Sequence, residues 1–275
     1  MELTLLGTGC PSVDHKRFGP SNLVSTKKTK ILIDCGSGIT QRLHELKVSS
    51  ADIDVLLFTH LHSDHAVDLY QLIISSWHSY RIKPWKVYGP KGTKKFVKKI
   101  MDAWFDERQL RISYESRASA KAFDIQVTEF KSIGNIKIKD LNIKYFEVDH
   151  KPVKFAYGFC FTNKNKKLTI SGDTRPCENL MKYAQKSDVL LHEVFIEGEI
   201  LQINKMRTKK TLHNVQSYHT TSTQVGKVAF IAGAKKLVLT HFVPPRFNKS
   251  NLKKVVKKDF GKDPIIGEDL MIIKV

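Results

Sequence analysis

No apolar run in this chain approaches the roughly 20 residues that a membrane-crossing helix needs. The opening segment Met1-Glu2-Leu3-Thr4-Leu5-Leu6-Gly7 has neither a basic start nor a long apolar stretch, so it reads as a first strand rather than an export signal. With both signals missing, the protein is placed in the cytoplasm. Cysteine is scarce and unpatterned. Cys10, Cys35, Cys160 and Cys177 show no CxxC spacing, which argues against a zinc knuckle or a disulfide framework and leaves four free thiols. There is no Pro/Gly/Ser linker, no low-complexity stretch and no short-period repeat, so residues 1–275 are expected to form a single domain. Gly7, Gly9, Gly36 and Gly38 lack GxGxxG spacing, which removes a dinucleotide-binding loop and leaves short turns as their reading. Negative charge is also in short supply, with 27 Asp and Glu against 46 Lys and Arg, a net charge of +19. Such a field concentrates anions and suits a phosphate, sulfate or nucleic-acid substrate. The basic groups are spread over most of the chain, however, so the charge serves solubility as readily as binding. In the lysine-rich stretch 91–99, Phe96, Val97, Ile100 and Trp104 recur at helical spacing, and the lysines read as the wet face of an amphipathic helix.

What is present is an alternation of short β-rich runs and amphipathic segments. The runs lie at 3–6, 30–34, 55–59, 86–88, 136–138, 143–148, 155–162, 167–171, 189–192 and 236–240. Helical periodicity falls at 39–46, 66–76, 93–104, 177–185 and 222–232. Strands and helices mixed in this order predict an α/β (α+β) fold in which sheets stack and helices cover the outer faces.

The densest chemical signal is His60-Leu61-His62-Ser63-Asp64-His65, directly after the apolar run 55–59. In extended chain, residues two apart share a face, so His60 and His62 can converge on one metal ion. Asp64 and His65 lie where the chain turns into a helix beginning near Ala66 and can aim at a neighbouring point. Four ligand-type groups in six residues suit two adjacent ions better than one. Imidazole with carboxylate favours zinc, and manganese or iron could bind the same set. Three later fragments each place a ligand-type residue after a strand: Asp149-His150, Gly172-Asp173-Thr174 and Thr240-His241. A carboxylate such as Asp173 can bridge two cations through its two oxygens.

The HxHxDH run, His150, Ser171-Gly172-Asp173-Thr174 and His241 in Leu239-Thr240-His241 resemble the ordered motifs of the metallo-β-lactamase fold superfamily across nearly the whole chain. The resemblance implies an αββα four-layer sandwich, one metal on His60, His62 and His150, a second on Asp64, His65 and His241, and Asp173 bridging. Asp34, in Ile31-Leu32-Ile33-Asp34-Cys35-Gly36, matches the superfamily's early aspartate, which supports ligands without binding metal. The segments 6–12, 88–93, 171–177 and 239–242 resemble the ribonuclease Z branch. Residues 148–153, together with His192-Glu193-Val194 and Tyr218-His219-Thr220-Thr221-Ser222, are closer to an arylsulfatase-like branch. Ribonucleases Z that process tRNA typically carry a long arm between the positions of His150 and Asp173. Here only 22 residues separate the two. The superfamily often forms dimers, so a homodimer is a candidate assembly, although no interface is readable in the sequence.

The chemistry expected is hydrolysis of a phosphodiester or sulfate ester. Two cations about 3.5–4 Å apart can lower the pKa of a shared water to near neutrality, and the resulting hydroxide is the nucleophile. Asp64, His219 and Glu193 are the catalytic candidates. By the resemblance, the histidine matching His219 contacts the scissile group and serves as general acid. Glu193 or His192 could orient that imidazole or a ligand, and each could equally be a satisfied polar residue at a sheet edge. Arg175 and Lys151 stand beside ligands but read as solvated charges. His15, His44, His78 and His213 have no supporting context. The alternatives are a tRNA 3′-processing endoribonuclease without the arm, with RNA as partner, and a nucleic-acid-binding protein whose site is idle.

Overall fold

A computed structural model describes residues 1–199 and 208–275. Two seven-stranded sheets face each other. The first is built from β1 (Glu2–Gly7), β2 (Ser21–Ser25), β3 (Lys30–Ile33), β4 (Val55–Leu57), β5 (Trp85–Gly89) and β6 (Ile125–Glu129). The second takes β7 (Ile133–Ile138), β8 (Leu141–Glu147), β9 (Tyr157–Asn163), β10 (Lys166–Ile170), β11 (Val189–Phe195), β12 (Lys236–Val243) and β13 (Ile265–Ile266). The last strand, β14 (Ile272–Lys274), returns to pair with β1. Each sheet runs through three antiparallel pairings and then three parallel ones, with the change at β3/β4 in one sheet and β10/β11 in the other.

Strand alternation explains the layering. Ile31, Ile33, Val55, Leu57, Leu168, Ile170, Val189 and Leu191 point between the sheets with Phe159 and Phe161. Leu32 and Leu56 point the other way, toward helices α1 (Ile39–Glu45), α2 (Ser63–Ala66), α3 (Leu69–His78) and α4 (Thr93–Ala103). Next in the chain is α5 (Phe105–Glu115), which buries no residue. On the far side, Leu190, Val194, Leu237 and Leu239 pack with α6 (Glu178–Tyr183), α8 (Ser222–Ile231) and α9 (Lys249–Phe260). The remaining helix, α7 (Lys209–Gln216), follows the undescribed residues 200–207. The result is the expected αββα sandwich. Among the described residues no helix is long and apolar enough to cross a membrane.

Two details depart from the sequence reading. The helix expected from Ala66 is two: α2 already contains Asp64 and His65, and a break at Val67 and Asp68 precedes α3. Trp104, expected on the apolar face of α4, is 48% exposed and stacks on Tyr70 beyond the helix end, while Val97 is buried as expected, Phe96 and Ile100 are partly buried, and Met101 joins the buried face. Between His150 and Asp173 the chain is essentially the β9–β10 hairpin, with Asn163 paired to Lys166 across a two-residue turn.

The interior between the sheets is close-packed, so its aromatic rings carry measurable stability. Phe159→Ala is expected to cost about 3–5 kcal/mol in urea unfolding. A loss below about 1 kcal/mol would mean that this layer is not the well-packed core described here.

Candidate metal centre

The site lies at the ends of strands where both sheets change from antiparallel to parallel pairing. Chain leaves the sheet there, so its polar groups can gather in one crevice. Asp34 follows β3 and acts as a clamp on the histidine loop. Its Oδ1 accepts from the Thr59 backbone N–H (2.8 Å), and its Oδ2 accepts from the Thr59 hydroxyl (2.8 Å) and from His65 Nδ1 (2.8 Å). Asp34 itself sits at φ +58°, a left-handed conformation that a short polar side chain tolerates. Gly36 completes the clamp: a Cβ there would lie 2.4 Å from the Asp64 carbonyl oxygen, so only glycine allows this approach.

These contacts set the tautomers. The Thr59 hydroxyl proton goes to Asp34, which leaves its oxygen to accept from His60 Nδ1 at 3.0 Å. His65 Nδ1 donates to Asp34, and His150 Nδ1 donates to the Tyr218 carbonyl at 2.9 Å. All three rings therefore turn Nε2 inward, and all three Nε2 atoms are buried without a hydrogen-bond partner. They face one carboxylate oxygen. Asp173 Oδ2 is 3.8 Å from His60 Nε2, 3.3 Å from His65 Nε2, 4.0 Å from His150 Nε2 and 3.3 Å from His241 Nε2. Gly172, at φ +62° and with no room for a Cβ beside the Tyr157 carbonyl (2.5 Å), delivers Asp173 to this point.

His241 arrives by a different route. In the β11–β12 pairing, Glu193 faces Thr240 and Val194 faces Phe242, so His241 is skipped by the register. The bulge, with φ +45°, swings the ring off the ladder until Nε2 lies 3.3 Å from Asp64 Oδ2. Three overlapping groups of donors result among the described residues, one of them Asp173, His219 and His241; the other two divide the expected ligands. His60, His62, His150 and Asp173 form one and Asp64, His65 and His241 the other, with the atoms of each within 4.8 Å of one another. Partnerless buried nitrogens converging on carboxylate oxygens are what a divalent cation requires of its ligands. The residues present fit such ions.

Electrostatics support the same conclusion. Burial would lower the pKa of His65, but the carboxylates of Asp173, Asp64 and Asp34 outweigh it and hold that imidazole well above its ordinary value. Burial, with no compensating partner of that strength, pushes His60 well below. Asp173 is held far below the usual carboxylate range because His241, His65 and His60 overcome its desolvation. Cys10 sits at the rim, and burial raises its thiol to about 11, so it stays a neutral thiol beside the ligands.

Glu193 and His219 form a second layer. Glu193 Oε1 accepts from Thr174 N (3.1 Å), Thr220 N (3.0 Å) and His219 Nδ1 (3.0 Å). Burial opposes a charged His219, yet Glu193 raises its pKa above the ordinary value. His192, by contrast, shares the strand face of Leu190 and Val194 and points to the helix layer, where its Nδ1 contacts the Glu193 carbonyl at 2.7 Å. It does not reach the ligands, since alternation sends neighbouring residues to opposite faces. Arg175 is bound to Asp149 through Nε (2.9 Å) and Nη2 (2.8 Å) rather than turned to the crevice. His15, His44, His78 and His213 stay outside the cluster. Two contributors escaped the sequence reading: Thr59, whose only signal is a hydroxyl just before the first histidine, and the Tyr218 carbonyl, which gives no signal at all.

Residues 1–224 match the family described as Anti-Pycsar protein Apyc1. The chain is 33% identical over 247 residues to a curated Ribonuclease Z of Mycobacterium bovis, covering 89% of this chain and 86% of that one. The chain belongs to the Apyc1 anti-Pycsar family and to the ribonuclease Z-like branch of the metallo-β-lactamase fold. Two solved structures share that fold over nearly their whole length. The metallo-β-lactamase fold protein YhfI from Bacillus subtilis has a TM-score of 0.78 at 18% identity, covering 99% of this chain and 98% of its own. The short form of human tRNase Z has a TM-score of 0.73 at 21% identity, with 100% and 99% covered. As a member of this branch the protein is a metal-dependent hydrolase.

In this Apyc1-family chain the Asp34 clamp supports the ligands from outside, so its charge can be removed without removing a donor. Asp34→Asn, whose side chain also tolerates a positive φ, is expected to weaken metal affinity about 10–100-fold in competition with a chromophoric chelator. Unchanged affinity would refute an orienting role.

Proposed function

We propose that this chain is a phosphodiesterase that works with two divalent ions, zinc by preference, on a small anionic diester. One ion would be held by His60, His62 and His150 and the other by Asp64, His65 and His241, with Asp173 between them. The observation that carries this reading is the convergence of three partnerless buried imidazole nitrogens on the Asp173 carboxylate. When bound, the ions supply Lewis acidity toward a phosphoryl oxygen and lower the pKa of water toward neutrality. Manganese or iron would suit the same donors.

The chain's own residues supply the rest. Asp64 lines the open side of the crevice and would take the proton of the attacking water. With Nδ1 of His219 committed to Glu193, its Nε2 is left to protonate the leaving oxygen. Glu193 favours the charged form of that imidazole and fixes its direction. A short hairpin between His150 and Asp173 leaves nothing there to grip a folded RNA, which favours a small substrate. The excess of lysine and arginine would draw anions of any size. A cytoplasmic, single-domain enzyme is part of the same proposal.

A second reading, tRNA 3′ processing, is favoured by the full-length similarity to curated proteins named Ribonuclease Z. Sulfate esters share the shape and charge of the proposed substrate. The metal-replete chain should therefore be assayed in parallel on bis(p-nitrophenyl) phosphate, 3′,5′-cyclic nucleotides, p-nitrophenyl sulfate and precursor tRNA. Turnover of the small diesters is expected, with precursor tRNA bound weakly and in a strongly salt-dependent way. Preference for precursor tRNA would establish the second reading instead, and preference for the sulfate an arylsulfatase. Failure on all four, with less than about one ion per chain, would indicate a nucleic-acid-binding protein with an idle site.

Two substitutions test the acid. His219→Ala is expected to lower kcat on the small diester by about 10²–10⁴-fold with the metal content intact. Glu193→Gln should cost about 10–100-fold, since the imidazole keeps its place but loses its charge partner. Equal activity in both variants and wild type would remove the pair from the mechanism.

A further inference from the structure

The crevice does not end at the ligands. On the Asp64 side it opens into a lobe of about 440 Å³ whose walls include Pro11, Val13, Phe18 and Val67, with Ser63 and Asp64 at its inner end. On the other side a lobe of about 370 Å³ is lined by Thr211, Val215, Tyr218 and His219. Cys10, Pro11, Ser63 and Asp64 line both, so the two lobes meet at the metal centre.

The first lobe is lined mostly by apolar surface, although Asp14, His15 and Arg17 also border it. Val13 is 97% exposed and Val67 62% exposed, although each borders a crevice otherwise built for anions. Backbone hydrogen bonds tie down the loop that carries part of this wall. Gly9 N donates to the Phe18 carbonyl (2.8 Å) and Phe18 N donates to Asp269 Oδ2 (2.7 Å), which pins both ends of the loop that carries Val13. The Phe18 ring has the Arg42 guanidinium 3.9 Å from its centre and packs against Gly38, where a Cβ would intrude to 2.2 Å. Val67 stands at the end of α2, one turn from Asp64. An aromatic and aliphatic wall beside a phosphate-handling site favours a flat ring.

Resting on the phosphodiesterase reading, we propose that this lobe binds a planar ring on the substituent that stays attached to phosphorus, and that Val13 and Val67 determine that specificity. The orientation follows from His219. A leaving oxygen must face the acid, so the leaving group enters the Tyr218 and His219 lobe and the retained group enters the valine lobe. A nucleobase or an aryl group has the required shape and hydrophobicity.

The test separates binding from turnover. Phenylphosphonate and methylphosphonate differ only in the group on phosphorus and contain no ester to cleave. Calorimetry on the metal-replete full chain is expected to find the phenyl compound bound about tenfold more tightly. In the Val13→Asn, Val67→Asn double variant that preference should fall below about twofold, and Val67→Leu in the wild-type background should retain it. With bis(p-nitrophenyl) phosphate and methyl p-nitrophenyl phosphate, which share a leaving group, the double variant should raise KM for the aryl diester more than it lowers kcat. A wild-type preference near one, an unchanged preference in the double variant, or no binding of either phosphonate would overturn the lobe assignment. Phenyl preference without cleavage of either diester would leave the lobe standing and overturn the phosphodiesterase reading.

Discussion

The Asp173 carboxylate is buried where four imidazole nitrogens, brought by three separate segments, come within 4.0 Å of one oxygen. Burying that many ionisable groups together costs several kcal/mol per unpaired charge, so the arrangement persists only if each group has a partner. Much of the local structure can be understood as supplying those partners. Glycine at 36 and 172 lets backbone approach backbone, and a bulge in β12 carries His241 over to Asp64. The sandwich is the scaffold that brings these strand ends to one edge.

Around the donors, an outer ring of contacts decides what each imidazole presents. Asp34, Thr59 and the Tyr218 carbonyl occupy Nδ1 of His65, His60 and His150, so the opposite nitrogen of each is free to bind a cation. Glu193 occupies Nδ1 of His219 in the same way and raises its pKa. One structural device, a hydrogen bond to Nδ1, thus orients two sets of histidines whose proposed uses differ, as ligands and as an acid. The difference lies in what faces Nε2.

Much of this was legible in the sequence. HxHxDH is a local pattern, a strand emptying into a first helical turn, and local patterns survive folding because their geometry depends on neighbours in the chain. The αββα layering was implied by the family resemblance; runs such as 31–33 and 189–191 are apolar throughout because alternate residues serve opposite faces, which only the structure separates. The α9 helix, with Leu252, Val256 and Phe260 at four-residue intervals, carried a signal of the same kind that the sequence reading did not use. In α5 there was none to find, for it buries no residue and shows no apolar face to a core.

The sequence by itself determined the types of donor, their attachment to strand ends and the brevity of the β9–β10 connection, since all three are properties of adjacent residues. Tertiary structure alone decided that His241 escapes its ladder and that Glu193 faces the site while His192 turns away. It also decided that Val13 and Val67 stand together beside Asp64. Each of these depends on register or packing between segments far apart in the chain, and that information resides in no single stretch of residues.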